Sequence, residues 1–472
     1  MKHVFPRTLR AARPTVLGLA LMLATGIAGA QVFGQPDTDF SGNVRATAQV
    51  VLPGSETGIE GSGFKPGQKI TLLRGETVLN AQPYVADAEG KFAGQLAIPA
   101  DAVAGQQPIV VRTSGPDAAS IFELKVSREV PLSGQERFDA TSSKLVQGLY
   151  QVAYSARNDA AFVTSAVGRP PVKQSELLKV DPKTLKIVAR VTPEAAPAPA
   201  ARPGQEPREG GVFAVYGVGV DDANGNVWVT NTRQDTVAVY RQSDLALVKQ
   251  FPEGAVPHSR DVVIDPAHDR AYVSATGETF VSVFDTRTLQ QLDNIEIASG
   301  KRGEKFTPTS LDLDPATGKV YTASLGSSEA AVIDGIAGKV EKVFPLANAR
   351  SAIGVAWNPV AKRLLVVSQG SDNLLIVDPE TGKVEHDVYV GAGSLNVSYD
   401  PTSRLAYVSN RGAGTVTVVD EAGNIVANLD GGTYPNHVSK GPNGVMFAVN
   451  KARGNDDPKG DRITRLVLKK RR

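Results

Sequence analysis

The segment Asp400–Ser409 reads DPTSRLAYVS and places a polar turn directly before a short run of strand-forming residues. Asp and Pro favour the turn, and the run Leu-Ala-Tyr-Val is typical of a short antiparallel strand. Similar segments recur at Asp222–Asn231, Asp265–Ser274, Asp314–Ala323, Asn358–Val367 and Gly441–Asn450, with a divergent copy at Tyr154–Val163. The chain therefore contains an internal repeat of roughly 40 to 50 residues.

Each copy continues with a third strand, a tight turn and a fourth strand, as in Asn373–Asp378 followed by Pro379–Lys383. Four short strands per repeat predict an all-β fold in which residues 137–468 form a seven-bladed β-propeller. The last copy is one strand short. We expect the segment Arg137–Val146 to supply that strand and so to remove the open edge of the ring.

An Asp closes the third strand in most copies of the repeat. Because it recurs, we interpret it as a turn residue whose carboxylate accepts backbone N–H groups, and not as a catalytic acid. The residues concerned are Asp181, Asp285, Asp334, Asp378 and Asp420.

Residues 46–127 have a different sequence pattern from the repeats. Turn segments such as Gly61–Gly67 precede short apolar runs such as the one within Ala104–Arg112. Strands spaced by roughly 8 to 12 residues predict a small β-sandwich. This module resembles bacterial immunoglobulin-like domains, and that resemblance implies a spacer or a protein contact.

Residues 1–30 have the features of a secretory signal peptide, which predicts a periplasmic protein. Basic residues between Lys2 and Arg13 precede an apolar core at Val16–Ile27, and Ala28 and Ala30 match the small residues of a cleavage site. The chain has no Cys, so its core must form without disulfides. No later apolar run reaches the roughly 18 residues that suggest a membrane span.

The charge balance argues against nonspecific binding of polyanions. The formal net charge is +2, and it becomes −2 once the four basic residues of the predicted signal peptide are removed. A nearly neutral chain does not attract polyanions through its overall field. Any such binding would have to use a local cationic patch.

Tyr-Val-Ser-Asn strands that follow Asp-Pro turns resemble those of the YVTN-repeat family of seven-bladed propellers. The order of repeats is similar to that of the YncE-like periplasmic members. The resemblance is carried by Gly148–Ser155, Ser259–Val262 and Tyr434–His437. It implies the fold of the predicted propeller and no particular reaction, since this family has no settled shared chemistry.

One face of the predicted propeller, around the mouth of its central channel, receives most of the long loops. Long loops on a rigid scaffold are where binding residues tend to lie. We therefore predict a ligand site at the mouth formed by Tyr150, Gln151, Tyr216, Arg260, Asp261, Ser310, Asn396, Asn436 and His437, with Arg233, Arg411 and Lys451 as rim cations. The resemblance supports Tyr150, Arg260, Asp261 and Asn436, because YncE-like sequences carry similar groups at these positions. At His437 this sequence departs from the family, which more often has a small residue there.

The predicted function is non-enzymatic binding of a small ligand or a periplasmic protein at this mouth. One alternative is binding of single-stranded nucleic acid or another polyanion by the same cations, with tyrosines stacking on bases. A second alternative is a propeller hydrolase or lactonase that uses the mouth residues.

No catalytic, metal or cofactor set is predicted from the sequence. Beyond the signal peptide the chain holds four His residues, and the two expected near the mouth, His258 and His437, lack a third spaced ligand. Trp228 and Trp357 lie within predicted strands, where we expect them to pack against neighbouring residues and not to dock a quinone cofactor.

Overall fold

The computed structural model describes residues 37–198 and 209–470. The predicted signal peptide, residues 1–30, lies outside the described residues. Within the described ranges, none of the helices has the length and apolar character needed to cross a bilayer. Short 3₁₀ helices occur at Gln135–Arg137, Thr232–Gln234 and Pro442–Gly444.

Residues 43–126 form two antiparallel sheets that share one hydrophobic core. One sheet contains β1 (Asn43–Ala46), β2 (Glu56–Ser62) and β6 (Phe92–Ala97), and the other contains β3 (Lys69–Arg74), β4 (Thr77–Val78), β5 (Tyr84–Val85), β7 (Gly105–Ser114) and β8 (Ala118–Val126). Alternation along the strands produces this core, since Thr57, Ile59 and Gly61 of β2 are buried while their neighbours are more exposed. We call residues 43–126 the N-terminal unit.

The rest of the described chain forms seven antiparallel sheets that follow one another in sequence. The first two contain β10 (Leu149–Ser155), β11 (Ala160–Val167), β12 (Gln174–Val180) and β13 (Ile187–Val191); and β14 (Val218–Asp221), β15 (Asn226–Asn231), β16 (Thr236–Arg241) and β17 (Leu247–Gln250). The third and fourth contain β18 (Ser259–Asp265), β19 (Arg270–Ala275), β20 (Phe280–Asp285), β21 (Gln290–Gln291) and β22 (Ile295–Glu296); and β23 (Pro308–Asp314), β24 (Lys319–Ser324), β25 (Glu329–Asp334) and β26 (Lys339–Pro345).

The remaining three sheets repeat the same pattern. The fifth and sixth contain β27 (Ala352–Asn358), β28 (Arg363–Ser368), β29 (Asn373–Asp378) and β30 (Lys383–Tyr389); and β31 (Ser394–Asp400), β32 (Leu405–Asn410), β33 (Thr415–Asp420) and β34 (Ile425–Asp430). The seventh contains β35 (Pro435–Lys440), β36 (Val445–Asn450), β37 (Arg462–Leu468) and, from the start of this region, β9 (Phe138–Lys144).

The sheets close into a ring around a central channel. The first strand of each sheet contacts the first strand of the next, and β35 of the seventh sheet contacts β10 of the first. Strand β9 pairs with β37, from Phe138 opposite Leu468 to Lys144 opposite Arg462. This is the outer strand that the sequence predicted within Arg137–Val146, and its pairing covers the backbone edge of β37. The arrangement is that of a β-propeller.

Both tryptophans pack against neighbouring residues, as the sequence predicts. Trp228 is fully buried, with its ring centre 5.9 Å from that of Phe251 and 5.6 Å from that of Phe284. Trp357 stacks on Tyr321 at 4.7 Å. Aromatic contacts of this kind add to the apolar burial that joins neighbouring sheets.

The Asp residues that close third strands are turn residues, which confirms their interpretation from the sequence. Asp285 Oδ1 accepts the backbone N–H groups of Arg287 at 3.0 Å and Thr288 at 2.8 Å. The hydrogen bond from Thr288 makes the largest contribution to lowering the pKa of Asp285. The same backbone hydrogen bonding occurs at Asp181, Asp334, Asp378 and Asp420.

The N-terminal unit is fixed to the ring through Asp372, in the loop between β28 and β29. Lys125 of the unit forms an ion pair with this buried carboxylate. Ser127 Oγ donates to Asp372 at 2.7 Å, and the backbone N–H of Arg128 donates to Tyr389 Oη at 2.6 Å. A buried charge that is paired and hydrogen-bonded favours one defined docking position over others.

Candidate ligand site at the channel mouth

A cavity of about 270 Å³ opens at one end of the central channel. Its wall comes from the starts of the innermost strands and from loops that join second strands to third strands. Most of the predicted site residues line it, namely Tyr150, Gln151, Tyr216, Arg233, Arg260, Ser310, Asn396, Arg411, Asn436 and His437. The fold therefore places most of the residues predicted from the sequence around one cavity.

Five residues of the cavity wall were not among the predicted ligand contacts: Thr232, His258, Ile353, Gln369 and Leu395. Thr232 and Gln369 directly follow the second strands β15 and β28. The rim cations were predicted because they follow second strands. The same rule, applied to every sheet, would also have identified Thr232 and Gln369. The apolar side chains of Ile353 and Leu395 gave no comparable signal, because apolar residues fill most strands of the repeat.

Asp261, one of the predicted ligand contacts, is only 7% exposed and is not among the residues that line the cavity. Its carboxylate accepts the backbone N–H of Leu311 in the next sheet at 3.0 Å, that of Val262 at 3.1 Å, and the Gln151 amide at 3.3 Å. Burial raises the pKa of Asp261 despite these hydrogen bonds. The carboxylate therefore links its own sheet to the next sheet and to Gln151 of the first sheet.

Several other predicted residues also hold neighbouring innermost strands together. Each pairs a side-chain atom with the backbone of the next sheet: Gln151 Oε1 accepts Val218 N–H (2.9 Å), Asn396 Oδ1 accepts Val438 N–H (2.8 Å), Asn436 Nδ2 donates to Tyr150 O (2.7 Å) and His437 Nδ1 accepts Val152 N–H (3.4 Å). These polar groups are partly used by the fold. The capacity to bind a ligand therefore falls mainly on the cations.

Three arginines, Arg233, Arg260 and Arg411, line the cavity, and Lys451 lies beside it against the ring of Tyr150. In the described part of the chain, none of them forms an ion pair with a carboxylate. Arg260 Nε is buried and has no hydrogen-bond partner among the described residues. A buried donor without a partner costs about 1–3 kcal/mol, so an acceptor that reached this nitrogen would relieve that cost.

Burial lowers the pKa values of two of these residues, and the proximity of other cations adds to the effect at one of them. Burial lowers the pKa of Lys451 to about 8, and the charges of Arg411 and Arg233 act in the same direction while Asp461 opposes them. Burial also lowers the pKa of Arg260, although an arginine stays protonated in proteins. The mouth is therefore strongly cationic at neutral pH, inside a chain of nearly balanced charge.

The tyrosines of the mouth have their rings covered by protein groups. Tyr150 and Tyr216 pack edge to face at 4.7 Å, and Lys451 Nζ lies 3.9 Å from the centre of the Tyr150 ring. The Arg411 guanidinium lies 5.0 Å from the centre of the Tyr434 ring. Such contacts stabilise the cations by cation–π attraction and leave less aromatic surface for a ligand.

His437 is a weak base in this setting. Burial lowers its pKa to about 3, and the charge of Arg260 adds to the effect. Since Nδ1 accepts the Val152 N–H, the neutral ring carries its proton on Nε2. A general base works best with a pKa near the working pH, so His437 is poorly suited to that role. Among the described residues, no group of three or more His, Cys, Asp or Glu side chains is arranged to hold a metal ion.

No family model matches the sequence. The chain is similar to the uncharacterized protein YncE of Salmonella typhi, at 25% identity over 339 residues that cover 68% of this chain and 89% of YncE. It is also similar to the uncharacterized protein YncE of Escherichia coli strain K12, at 23% identity over 267 residues that cover 54% of this chain and 68% of YncE.

Solved structures with the same architecture include Kuenenia stuttgartiensis hydrazine synthase, with a TM-score of 0.52, 18% identity, and coverage of 65% of this chain and 94% of that one. Virginiamycin B lyase from Staphylococcus aureus also matches with a TM-score of 0.52, at 11% identity, over 70% of this chain and 99% of the lyase. These likenesses show the fold alone. Together with the relatives, they show a YncE-like β-propeller.

Proposed function

We propose that this protein is a non-enzymatic periplasmic binding protein that holds an oxyanion in the mouth of a seven-bladed propeller. The observation that carries the proposal is the group of three arginines that line one cavity, with Lys451 beside it and with Arg260 Nε buried and lacking a partner among the described residues. Guanidinium groups bind carboxylate, phosphate and sulfate groups through paired hydrogen bonds, which matches this donor set. Periplasmic export rests on the signal-peptide pattern in residues 1–30.

The domain organisation belongs to the same proposal. Residues 46–127 form an immunoglobulin-like module and residues 137–468 form the propeller. Support comes from the two sheets of the N-terminal unit around one core, and from the ring that β9 closes.

Binding of single-stranded nucleic acid is the second candidate, since it would use the same cations. Recognition of bases needs open aromatic faces on which they can stack. The covered rings of Tyr150 and Tyr434 favour a ligand recognised by its anionic groups. The hydrolase or lactonase alternative has less support, because the low pKa of His437 makes it a weak base.

Affinity capture from an envelope extract tests the proposed function. The wild-type chain is compared with an Arg233→Gln/Arg260→Gln/Arg411→Gln variant, and Asp261 and Asn436 stay unchanged because they hold sheets together. We expect the wild type to retain a species that carries oxyanion groups and is released by salt, and the variant to lose it. Equal retention by both proteins, or retention of a neutral species alone, would overturn the proposal.

Sulfate affinity should fall as the pH rises past the pKa of Lys451, which is about 8. The protonated amine attracts the anion and the neutral amine does not, so we expect ~5- to 10-fold weaker binding on going from about pH 7 to pH 9. Isothermal titration calorimetry measures this directly, because sulfate does not titrate in the range. A Lys451→Arg variant should bind sulfate with little pH dependence. An unchanged pH dependence in that variant would show that Lys451 is not the group responsible.

A further inference from the structure

A second cavity, of about 470 Å³, lies on the rim beside the mouth cavity. We call it the rim basin. Its wall includes Gln49, Arg411, Gly412, Tyr434, Arg453 and Asp457. Arg411 lines both spaces, so the two cavities are neighbours that share this side chain.

Like the mouth cavity, the rim basin is lined by arginines, and both of its arginines lie against a tyrosine ring. Arg411 and Arg453 lie over the Tyr434 ring at 5.0 and 5.3 Å, and Arg453 Nε donates to Tyr434 Oη at 2.8 Å. Asp457 is the carboxylate in the wall, and its oxygens accept the backbone N–H groups of Arg453 at 3.0 Å and Lys459 at 2.9 Å. Neither arginine forms an ion pair with a carboxylate among the described residues, so both keep donors for an anion.

The N-terminal unit supplies one wall of the rim basin. Gln49 Nε2 donates to the backbone oxygen of Arg411 at 3.3 Å, and Gln49 Oε1 accepts Arg453 Nη2 at 3.4 Å. Val50 lies against Gly412, where an added Cβ would come within 3.1 Å of Val50 Cγ2. The same Cβ would come within 2.8 Å of the Ala392 backbone oxygen, so position 412 favours glycine at this closely packed point of the rim.

The anchor of the N-terminal unit sets the position of Gln49. Asp372 accepts Ser127 Oγ at 2.7 Å, and the Ser127 backbone N–H donates to the Val51 carbonyl at 2.8 Å. Gln49 lies two residues before Val51. The buried ion pair of Asp372 with Lys125 thus holds the segment that completes the rim basin.

We propose that the rim basin is a second oxyanion subsite, built jointly by the N-terminal unit and the propeller. Because the two cavities share Arg411, the ligand is a linear molecule that carries at least two oxyanion groups, one for each cavity. This inference rests on the proposed function and narrows its ligand class. Gln49 is a positioning residue that orients Arg453, while Arg411 contacts both groups of the ligand.

The test compares orthophosphate with tripolyphosphate as probes, by calorimetry on the full chain at constant pH. We expect tripolyphosphate to bind wild type ~10-fold or more tightly than orthophosphate, since a second charged hydrogen-bonding site adds to the first. In Gln49→Glu and Arg453→Gln variants that gain should fall to less than ~3-fold. Arg112→Gln, an exposed position in β7 of the same unit, is the matched control and should behave as wild type.

The outcomes separate the two proposals. If neither probe binds wild type, the proposed function fails. If both bind equally well, or if the variants keep the full gain, the rim basin is not a subsite while the mouth site stands. Thermal unfolding of each variant, expected to match wild type because both positions are on the surface, excludes misfolding as the cause of a lost gain.

Discussion

Replacing Arg260 with Gln should weaken orthophosphate binding ~30-fold, because it removes about 2 kcal/mol of charged hydrogen bonding. Arg260 differs from the other mouth cations in having a buried Nε without a protein partner. Its charge is also partly shielded from water, and this burial lowers the pKa of Arg260. Electrostatic attraction is stronger there than at an exposed rim position.

Two variants control this prediction. Arg260→Lys keeps the charge but lacks the planar group, so it should restore only part of the affinity. Arg287→Gln removes an arginine from the outer turn of the same sheet, where it pairs with Asp269, and should bind as wild type. Binding by Arg260→Gln that equals that of Arg287→Gln would show that the anion does not enter the mouth.

The free energy of unfolding should fall by about 2–3 kcal/mol through His437 alone when the pH is lowered from about 7 to 4. The pKa of His437 is about 3 in the folded protein, against about 6.5 for an ordinary histidine. The unfolded chain therefore binds a proton in this range that the folded chain does not. The stability due to the neutral ring is complete above about pH 6.5 and is lost as the pH falls towards 3. Partial access from the channel keeps the effect below its full value.

Urea unfolding of wild type and His437→Asn at several pH values measures this effect. Asn can accept the Val152 N–H in place of Nδ1 but has no proton to gain, so the pH dependence should be reduced by the stated amount. Other groups titrate in both proteins and cancel in the difference. Parallel pH profiles for the two proteins would show that His437 is not held neutral by the fold.

The repeat predicted the ring because its signals are local. A turn residue such as Asp285 and the strand before it lie within a few residues of each other, so the sequence displays both. The same register placed Arg260 and Arg411 at the mouth, because each copy of the repeat enters the channel at the same point.

The local pattern of the repeat could not predict the hydrogen-bond partners of each polar residue at the mouth. Asp261 bonds to Leu311 in the next copy of the repeat, and Asn436 bonds to Tyr150 across the closure of the ring. Whether a side chain faces the channel or the next sheet depends on spacing between repeats, which no local pattern records. Gln49 belongs to the N-terminal unit and Arg411 to the propeller, so the sequence pattern of neither unit predicts their contact.

The most direct test of the central claim is a crystal structure of the full chain grown with tripolyphosphate at a concentration close to its measured Kd. We predict density in the mouth cavity, with one phosphate group within hydrogen-bond distance of the guanidinium groups of Arg260 and Arg411. A cavity filled with water alone, with phosphate only on exposed lysines elsewhere, would contradict the account.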